Sequence, residues 1–298
     1  MVPIVSHRAY EFDLGAHVFP AAKYRLVRER LLAEGTITPD DVAEPEPVTD
    51  ADVLLVHTPE YVGKIREGRL STVEQVQLEI PFSPALRDAM WSMTGGTALA
   101  AKLALKHGLA VHLGGGFHHA FADHGEGFCL VNDVAITIRM LQRDGVAARA
   151  LVVDLDVHHG NGTAAIFKDD GAVFTFSMHQ QQNYPAVKPP SDLDVGLPDG
   201  VGDDAYLEIL EHHLPGILAS HQPDVVFYLA GADPYREDQL GGLALTIDGL
   251  KRRDAFVMDT AAKARAPLAI VLAGGYARRT DDTVEIHCNT VRTAVART

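Results

Sequence analysis

The sequence predicts a single α/β domain over residues 1–298, in which a mostly parallel β-sheet carries helices on both faces. Short apolar runs alternate along the chain with segments of helical spacing, which indicates parallel βαβ units. The runs are apolar at nearly every position, as strands buried on both faces of a sheet are. No linker divides the 298 residues, so we expect one folding unit.

The predicted elements follow from the periodicity of the apolar residues. Six runs have the composition of buried strands, at 53–56, 109–113, 150–153, 173–177, 225–230 and 269–273. Five segments place charged residues on one face and Leu, Ala or Val on the other, which predicts helices at 19–34, 84–106, 130–143, 203–219 and 247–264. A short helix is expected to begin near Thr163, because Gly160 and Gly162 permit a turn just before it.

Composition excludes several classes of protein. The formal net charge of −14, without a cluster of Lys or Arg, argues against a nucleic-acid partner and suits a cationic substrate better. No run of 18 apolar residues occurs and the first residues lack a signal-peptide pattern, so we expect a cytoplasmic protein that does not enter a membrane. Only Cys129 and Cys288 are present, too few for a disulfide framework or a thiolate zinc site. Any metal must therefore be bound by His, Asp or Glu.

Polar or glycine-rich loops follow five of the six predicted strands. In chain order they read GGGFHHAFADHGEGF, DLDVHHGNG, MHQQQNYP, GADPYRED and GGYARR. The carboxyl ends of parallel strands open on one side of a sheet, where ligands bind. We therefore expect these loops to converge on one pocket.

Three residues in these loops have the types and spacing of metal ligands. Asp156 and His158 are two positions apart, which in an extended segment places both side chains on the same side. Asp233 supplies a third ligand after the apolar run VVFYLAGA. One histidine and two carboxylates leave the fourth position of Zn²⁺ open, as in catalytic zinc sites. The alternative is that Asp156 or His158 caps the next helix or pairs with a surface cation.

Two adjacent histidines have the chemistry to move protons near neutral pH. In an extended backbone the side chains of His118 and His119 diverge, so the glycines at 114–116 must bend the loop if both are to face one pocket. Each imidazole needs an acceptor that fixes its tautomer, and Asp154 and Asn161 are the nearest candidates. The alternative is a loop pair of histidines that only forms structural hydrogen bonds.

Aromatic residues in the same loops are candidates for the pocket wall. Tyr276 follows two glycines, which allow a tight turn, and its phenol can donate to an oxyanion. Phe128 and Tyr184 can line an apolar channel, although packing of the loops on the core is an equally good explanation. An exposed loop position is the alternative for Tyr276.

Taken together, these motifs resemble a known family. LGGGFHHAFADHGEGFCLVNDVAI, VVDLDVHHGNGTAAIF, FTFSMH, YLAGADP, GGLALT and LAGGY occur in the order found in the zinc-dependent histone deacetylase superfamily, which has the arginase/deacetylase fold. The similarity extends over about residues 4–292. HVFPAAKYRLVRERLLAEG and SDLDVGLPDGVGDDAYLEIL are most similar to the class IV type found in bacteria and eukaryotes.

The resemblance implies a role for each candidate residue. It implies one Zn²⁺ per chain bound by Asp156, His158 and Asp233. It implies a catalytic set of His118, His119 and Tyr276, with Asp154 and Asn161 behind the histidines, and a substrate channel at Gly127, Phe128 and Tyr184. It also implies a structural K⁺ bound through Asp154, the backbone of Asp156 and His158, and Ser177. Spacing alone does not predict the K⁺.

Two positions depart from the family pattern. Asn161 stands where some deacetylases have an aspartate, and a neutral partner supports an imidazolium less well. We therefore expect His119 to be the neutral base and His118, near Asp154, to be the cation. Phe117 replaces a smaller residue before the histidine pair, and we expect it to narrow the rim of the pocket.

The expected function is removal of acetyl or longer acyl groups from lysine side chains of proteins or peptides. A small acylated amine, such as an acetylpolyamine, is the alternative substrate, and selecting it would require an acid at the rim. The candidate acids are Asp123, Glu126, Glu237 and Asp238. An arginase-type two-metal site is disfavoured because Asn161 and Pro234 stand where a second ion would need carboxylates. A non-catalytic module that binds acyl-lysine would be expected to lack one of the catalytic groups, and none is missing. The oligomeric state stays open.

Overall fold

A computed structural model describes residues 2–297 and has one sheet of eight strands within them. The strands are β1 Ile4–Val5, β2 Val42–Ala43, β3 Leu109–His112, β4 Ala150–Asp154, β5 Val173–Gln180, β6 Leu193–Leu197, β7 Val225–Leu229 and β8 Leu268–Val271. Their spatial order is β2-β1-β3-β8-β7-β4-β5-β6, and every neighbouring pair is parallel. The predicted α/β fold with a parallel sheet is confirmed.

The helices connect the strands as parallel crossovers require. They are α1 Lys23–Ala33, α2 Asp50–Val53, α3 Pro59–Glu67, α4 Thr72–Leu78, α5 Pro84–His107, α6 Asp133–Arg143, α7 Asn161–Ile166, α8 Asp203–His221, α9 Ile247–Ala264 and α10 Thr280–Val295. Among the described residues, no helix is both long enough and apolar enough to cross a membrane.

The two faces of the sheet are covered by different helices. In β4, Val152 points to a core shared with Ala101 of α5 and Ile138 of α6. Its neighbours Leu151 and Val153 point to the opposite core, which α1, α8, α9 and α10 complete. Because successive side chains in a strand alternate between faces, both sets must be apolar, and this explains the uninterrupted apolar runs.

The strand prediction at 53–56 is wrong, and three strands were not predicted. The hydroxyl oxygen of Thr49 accepts from the backbone N–H of Asp52, and the Asp52 carboxylate accepts from the N–H of Thr49, so this segment begins a helical turn. β1 and β2 have only two residues each, and β6 is a half-exposed edge strand. Helix α10 was also not predicted, because charged and polar residues interrupt its apolar spacing.

The register of the sheet places the site. Asp154 at the end of β4 pairs with Ser177 of β5 and Leu229 of β7, and Leu229 in turn pairs with Val271 of β8. Val271 pairs with His112, the last residue of β3. Four central strands, β3, β8, β7 and β4, therefore end at one level, and β5 continues beyond it to Gln180. The loops that follow these strands open on the same edge of the sheet.

Candidate active site

The three predicted metal ligands meet at this edge. The candidate ligand atoms of Asp156, His158 and Asp233 lie within 4.8 Å of one another, and all three side chains are buried. Nδ1 of His158 is 3.0 Å from Oδ1 of Asp156 and 3.4 Å from Oδ2 of Asp233. Residues separated by 75 positions in the chain therefore form one compact set of donors.

The electrostatics of these donors fit a divalent cation. Burial and the neighbouring Asp156 raise the pKa of Asp233 to about 7, because two carboxylates this close do not readily ionise together. Oδ2 of Asp233 is buried and has no hydrogen-bond partner among the described residues. A bound cation would balance both carboxylates and satisfy this oxygen. One imidazole nitrogen and two carboxylate oxygens are donors that Zn²⁺ accepts.

The backbone of the β8 loop approaches the ligands closely. The N–H of Gly274 donates to Oδ2 of Asp156 at 2.8 Å. A Cβ at Gly274 would lie 2.0 Å from Oδ2 of Asp233 and 2.5 Å from Oδ2 of Asp156. Any other residue at this position would displace the ligands, so the glycine is a requirement of the site.

The histidine pair faces the same point. Gly115 and Gly116 have φ angles of 75° and 88°, which only glycine adopts readily, and they supply the predicted bend in the loop. Nε2 of His118 is 3.1 Å from Nε2 of His119, and it is 3.8 Å from Oδ1 of Asp156. The two imidazoles therefore lie together beside the metal ligands.

The two histidines have different partners and opposite pKa shifts. Nδ1 of His118 is 2.7 Å from Oδ2 of Asp154, and Nδ1 of His119 is 2.6 Å from Oδ1 of Asn161. Burial lowers the pKa of His118, but Asp154 and Asp156 outweigh burial and raise it to about 9. Burial and the nearby His118 hold the pKa of His119 well below its usual value.

A second hydrogen bond fixes the tautomer of His119. Nδ2 of Asn161 donates to Oε1 of Glu126 at 2.6 Å, and a carboxylate can only accept. The amide oxygen of Asn161 must therefore face His119, so Nδ1 of His119 carries the proton. Nε2 of His119 is left with a lone pair, as a general base requires.

Tyr276 is aimed at the ligands by the loop after β8. Its N–H donates to Oδ2 of Asp238 at 2.7 Å, and its carbonyl accepts from the N–H of Gln239. Its ring centre is 6.4 Å from that of His158. Burial and the charges of Asp156 and Asp233 raise its pKa well above the usual value, so the phenol stays protonated and can donate.

A cavity of about 180 Å³ leads from the surface to these groups. Its lining consists of Glu79, His119, Gly127, Phe128, His158, Asn183, Tyr184, Leu240 and Tyr276. The ring of Tyr184 stands edge-on to that of His119, with centres 5.0 Å apart, and Gly127 lies between the two rings. The predicted substrate-binding residues thus line one channel.

The inner end of the cavity is small. About 20 Å³ lies beyond the histidines, bounded in part by Phe19, Tyr24, Phe117 and Cys129. Phe117 borders this inner space and is absent from the lining of the outer cavity. The expectation that Phe117 narrows the rim is therefore wrong, because its backbone N–H is bound by the buried Asp133 and its ring points inward.

Two buried cations support the site from behind and were not predicted. Arg253 of α9 donates to the carbonyls of Leu155 and Gly231, which precede the ligands in two separate loops. Nζ of Lys23 donates to the carbonyl of Ala273 at 2.7 Å, next to the loop of Tyr276. In the sequence both residues look like the charged face of an amphipathic helix, so periodicity alone conceals them.

The four acids proposed for the rim have different surroundings. Glu126 accepts hydrogen bonds from Asn161 and from the hydroxyl of Tyr184, and Asp238 accepts from three backbone N–H groups. Both are therefore supports of the catalytic loops rather than free rim charges. Asp123 and Glu237 are exposed and do not line the cavity.

The residues expected to bind K⁺ lie behind the metal ligands. Asp154 and Ser177 are register partners in β4 and β5, and Oδ1 of Asp154 accepts from the N–H of Asp156. K⁺ binding stays a prediction. Beyond Ser177, a second group of possible metal donors contains His159, His179 and Asp194. There Asp194 already accepts hydrogen bonds from His159 and from the N–H of Ser191, which links the β4 loop to β6.

Comparison with known proteins agrees with this geometry. Residues 17–291 match the model of the histone deacetylase domain. An uncharacterised protein of Picosynechococcus sp. is 47% identical, with 96% of this chain and 95% of that protein covered. Histone deacetylase 2 of Arabidopsis thaliana is 32% identical over 90% of this chain and 73% of its own length. The acetoin utilization protein AcuC of Bacillus subtilis is 29% identical over 82% of this chain and 68% of its own length.

A solved structure supports the fold independently. The crystal structure of the HDA15 HD domain superposes with a TM-score of 0.80, covering 99% of this chain and 88% of that chain at 24% identity. With a family match over most of the chain and a relative at 32% identity, the family is established. The chain belongs to the histone deacetylase family.

Proposed function

We propose that this protein is a zinc-dependent amidohydrolase that removes acyl groups from the side-chain amine of lysine in proteins or peptides. The observation that carries the proposal is the convergence of three groups of residues at one cavity. Asp156, His158 and Asp233 form a metal-binding set, His119 presents a lone pair, and Tyr276 presents a protonated phenol.

The three buried ligands would hold one Zn²⁺ beside the cavity. When bound, Zn²⁺ supplies Lewis-acid polarisation of the acyl carbonyl and makes water a better nucleophile. We propose one such ion per chain, together with the structural K⁺ that the family resemblance implies.

The chain's own groups carry the proton transfers. His119 accepts a proton from the attacking water, because Asn161 keeps its Nδ1 protonated and leaves Nε2, which is 3.1 Å from Nε2 of His118, without a proton. The hydroxyl of Tyr276 donates to the carbonyl oxygen as negative charge develops there. Asp154, whose Oδ2 is 2.7 Å from Nδ1 of His118, stabilises the positive charge on the histidine pair. The amine leaves after protonation by the histidine pair, and the products are a carboxylate and a free amine.

The shape of the cavity favours a slender substrate arm. The aromatic faces of Phe128 and Tyr184 suit the four methylene groups of lysine, and the amide reaches Tyr276 and His119 at the end. An acyl chain longer than acetyl must enter the inner space of about 20 Å³ beside Phe117. We expect acetyl to be hydrolysed fastest and longer acyl chains to be accepted at lower rates.

A panel of acylated amines tests the proposal. We expect acyl-lysine peptides to be hydrolysed with higher kcat/KM than acetylated spermidine or putrescine, measured by mass spectrometry of the free amine, with Tyr276→Phe as the control for contaminating enzymes. A polyamine preference of roughly tenfold, about 1.4 kcal/mol, would overturn the lysine assignment. Failure to hydrolyse any acylated amine would overturn the amidohydrolase itself.

A further inference from the structure

Glu79 is a carboxylate at the mouth of the cavity that the proposed reaction does not use. It follows the last residue of α4, and it is exposed although it borders the same cavity as the buried His119 and His158. Its backbone carbonyl is 2.9 Å from Nε2 of His17. Its carboxylate forms no hydrogen bond or ion pair with any residue between 2 and 297.

The local backbone does not favour a glutamate at this position. Glu79 has a φ of 59°, in the left-handed region where a helix C-terminus normally has glycine and where a side chain is unfavourable. A negative side chain there also lies at the negative end of the helix dipole. Two unfavourable local features at the edge of a reaction cavity point to a functional role.

The surroundings leave the charge of Glu79 uncompensated. Burial and the nearby Glu126 raise its pKa, while His158 and His17 act in the opposite direction. Glu126 is already bound by Asn161 and Tyr184, so Glu79 is the carboxylate of this region that faces the cavity without a partner. A positive group on the substrate would compensate the negative charge of Glu79.

We propose that Glu79 is a specificity residue that pairs with an ammonium or guanidinium group of the substrate, located beyond the amine that carries the acyl group. The inference rests on the proposed function and identifies the class of substrate that the site prefers. The cation has two possible sources, a basic side chain next to acyl-lysine in a peptide or a second ammonium in an acylated polyamine.

Matched substrates test the pairing. Acetyl-lysine peptides that differ at one neighbouring residue, Arg, norleucine or Glu, are compared by kcat/KM at low and high salt. The Arg peptide is expected to exceed the norleucine peptide by about fivefold, the upper end for an exposed ion pair, and the Glu peptide to be the poorest. High salt is expected to reduce the ratio, because it screens exposed charges. An acetylated triamine compared with an acetylated monoamine tests the second source.

Two variants of Glu79 separate the effect of its charge on substrate preference from an effect on folding. Glu79→Gln is expected to bring the Arg-to-norleucine ratio close to one. Glu79→Gly removes both the charge and the left-handed strain, so it should lose the same preference while melting at or above the wild-type temperature. Glu237→Gln, an exposed acid outside the cavity, is the matched control and should keep the wild-type ratio.

The outcomes are distinct from those of the proposed function. The inference is supported if the wild type prefers cationic substrates and Glu79→Gln loses this preference. Whether the preference occurs among the peptides or among the small amines identifies the source of the cation. Equal rates for all charge states, or a preference that survives in Glu79→Gln, overturns it while the hydrolase activity stands. Absence of hydrolysis with every substrate overturns the proposed function instead.

Discussion

The inner end and the mouth of the cavity are built in different ways. At the inner end, Asp156 and Asp233 sit on loops whose backbones are held by buried hydrogen bonds, including those from Arg253. At the mouth, Glu79 lies at the end of α4, and its carboxylate has no hydrogen-bond partner among the described residues. Asp123 lies on an exposed loop outside the cavity lining. The inner end is therefore rigidly defined, whereas the mouth is free to vary.

This difference corresponds to two tasks, catalysis at the inner end and substrate selection at the mouth. Proton transfer and metal binding require atoms at fixed positions, which strand ends and buried hydrogen bonds supply. Substrate choice needs only a charge or a shape near the entrance, and a surface loop can change without disturbing the core. Substitutions at the inner end should thus have large effects on stability or rate, and those at the mouth should have small effects or alter preference only.

The largest effect on stability is expected at Arg253. Arg253→Met removes the donor to the carbonyls of Leu155 and Gly231 and leaves the buried Asp254 without its cation. Loss of one partner of a buried pair costs roughly 3–5 kcal/mol. Urea unfolding measures the change. Arg252→Met, at an exposed neighbour paired with Asp204, is the control and should cost about 0–1 kcal/mol. Equal losses of unfolding free energy in both variants would show that Arg253 does not support the ligand loops.

The next effect is on the chemical step. Tyr276→Phe keeps the aromatic wall but removes the donor to the oxyanion, so kcat should fall by on the order of 10² or more with little change in KM. Single-turnover hydrolysis of an acetyl-lysine peptide measures it. If kcat is unchanged, Tyr276 has no part in the reaction.

A smaller effect concerns the pH dependence of stability, through a histidine that supports the start of α6. Burial lowers the pKa of His57 to about 4, and its Nε2 accepts from the N–H of Asn132, the cap of α6. The folded protein thus favours the neutral imidazole. The contribution of His57 to the free energy of unfolding is present above pH 6.5 and is lost as the pH falls toward 4. Between pH 7 and pH 5 the loss is about 2 kcal/mol in the free energy of unfolding.

Comparison with His57→Gln isolates this contribution. The variant is less stable than the wild type at pH 7, but its stability should fall by about 2 kcal/mol less on going to pH 5. Denaturant unfolding at the two pH values measures the difference. An identical fall in both proteins would show that His57 is not the titrating group.

The smallest effect is expected at Asp123, on an exposed loop outside the cavity lining. The side chain of Asp123 is mostly exposed and pairs with His124, so Asp123→Asn should change kcat/KM by less than about twofold. A loss of tenfold or more would show that this exposed loop is as tightly defined as the inner end, which contradicts the division between them.

Sequence reasoning located the inner end because its residues stand where strands end. Parallel strands bring their carboxyl ends to one edge, so the sequence predicts that Asp156, His158 and Asp233 lie together, and the structure places them together. The histidine pair and Tyr276 were found in the same way, through the glycines beside them. The family resemblance is confirmed, and the roles that it implies for these residues stay predictions.

Other features depend on contacts between distant segments, which periodicity does not reveal. Glu79 reaches the cavity from a helix end, and Arg253 and Lys23 look in the sequence like solvated charges. The sequence predicts Glu126 as a rim acid, because its bond to Asn161 joins residues 35 positions apart and leaves no local pattern. Strands of two residues, such as β1 and β2, carry too few side chains to show a period.

Metal titration tests the central claim most directly. Protein treated with a chelator should contain no Zn²⁺ and release no acetate from an acetyl-lysine peptide, and activity should return in proportion to added Zn²⁺ up to one ion per chain. Asp233→Ala should keep its far-ultraviolet circular dichroism but neither bind the ion nor recover activity, because one of the two carboxylate ligands is gone. Full activity in metal-free protein, or full recovery in Asp233→Ala, would contradict the account.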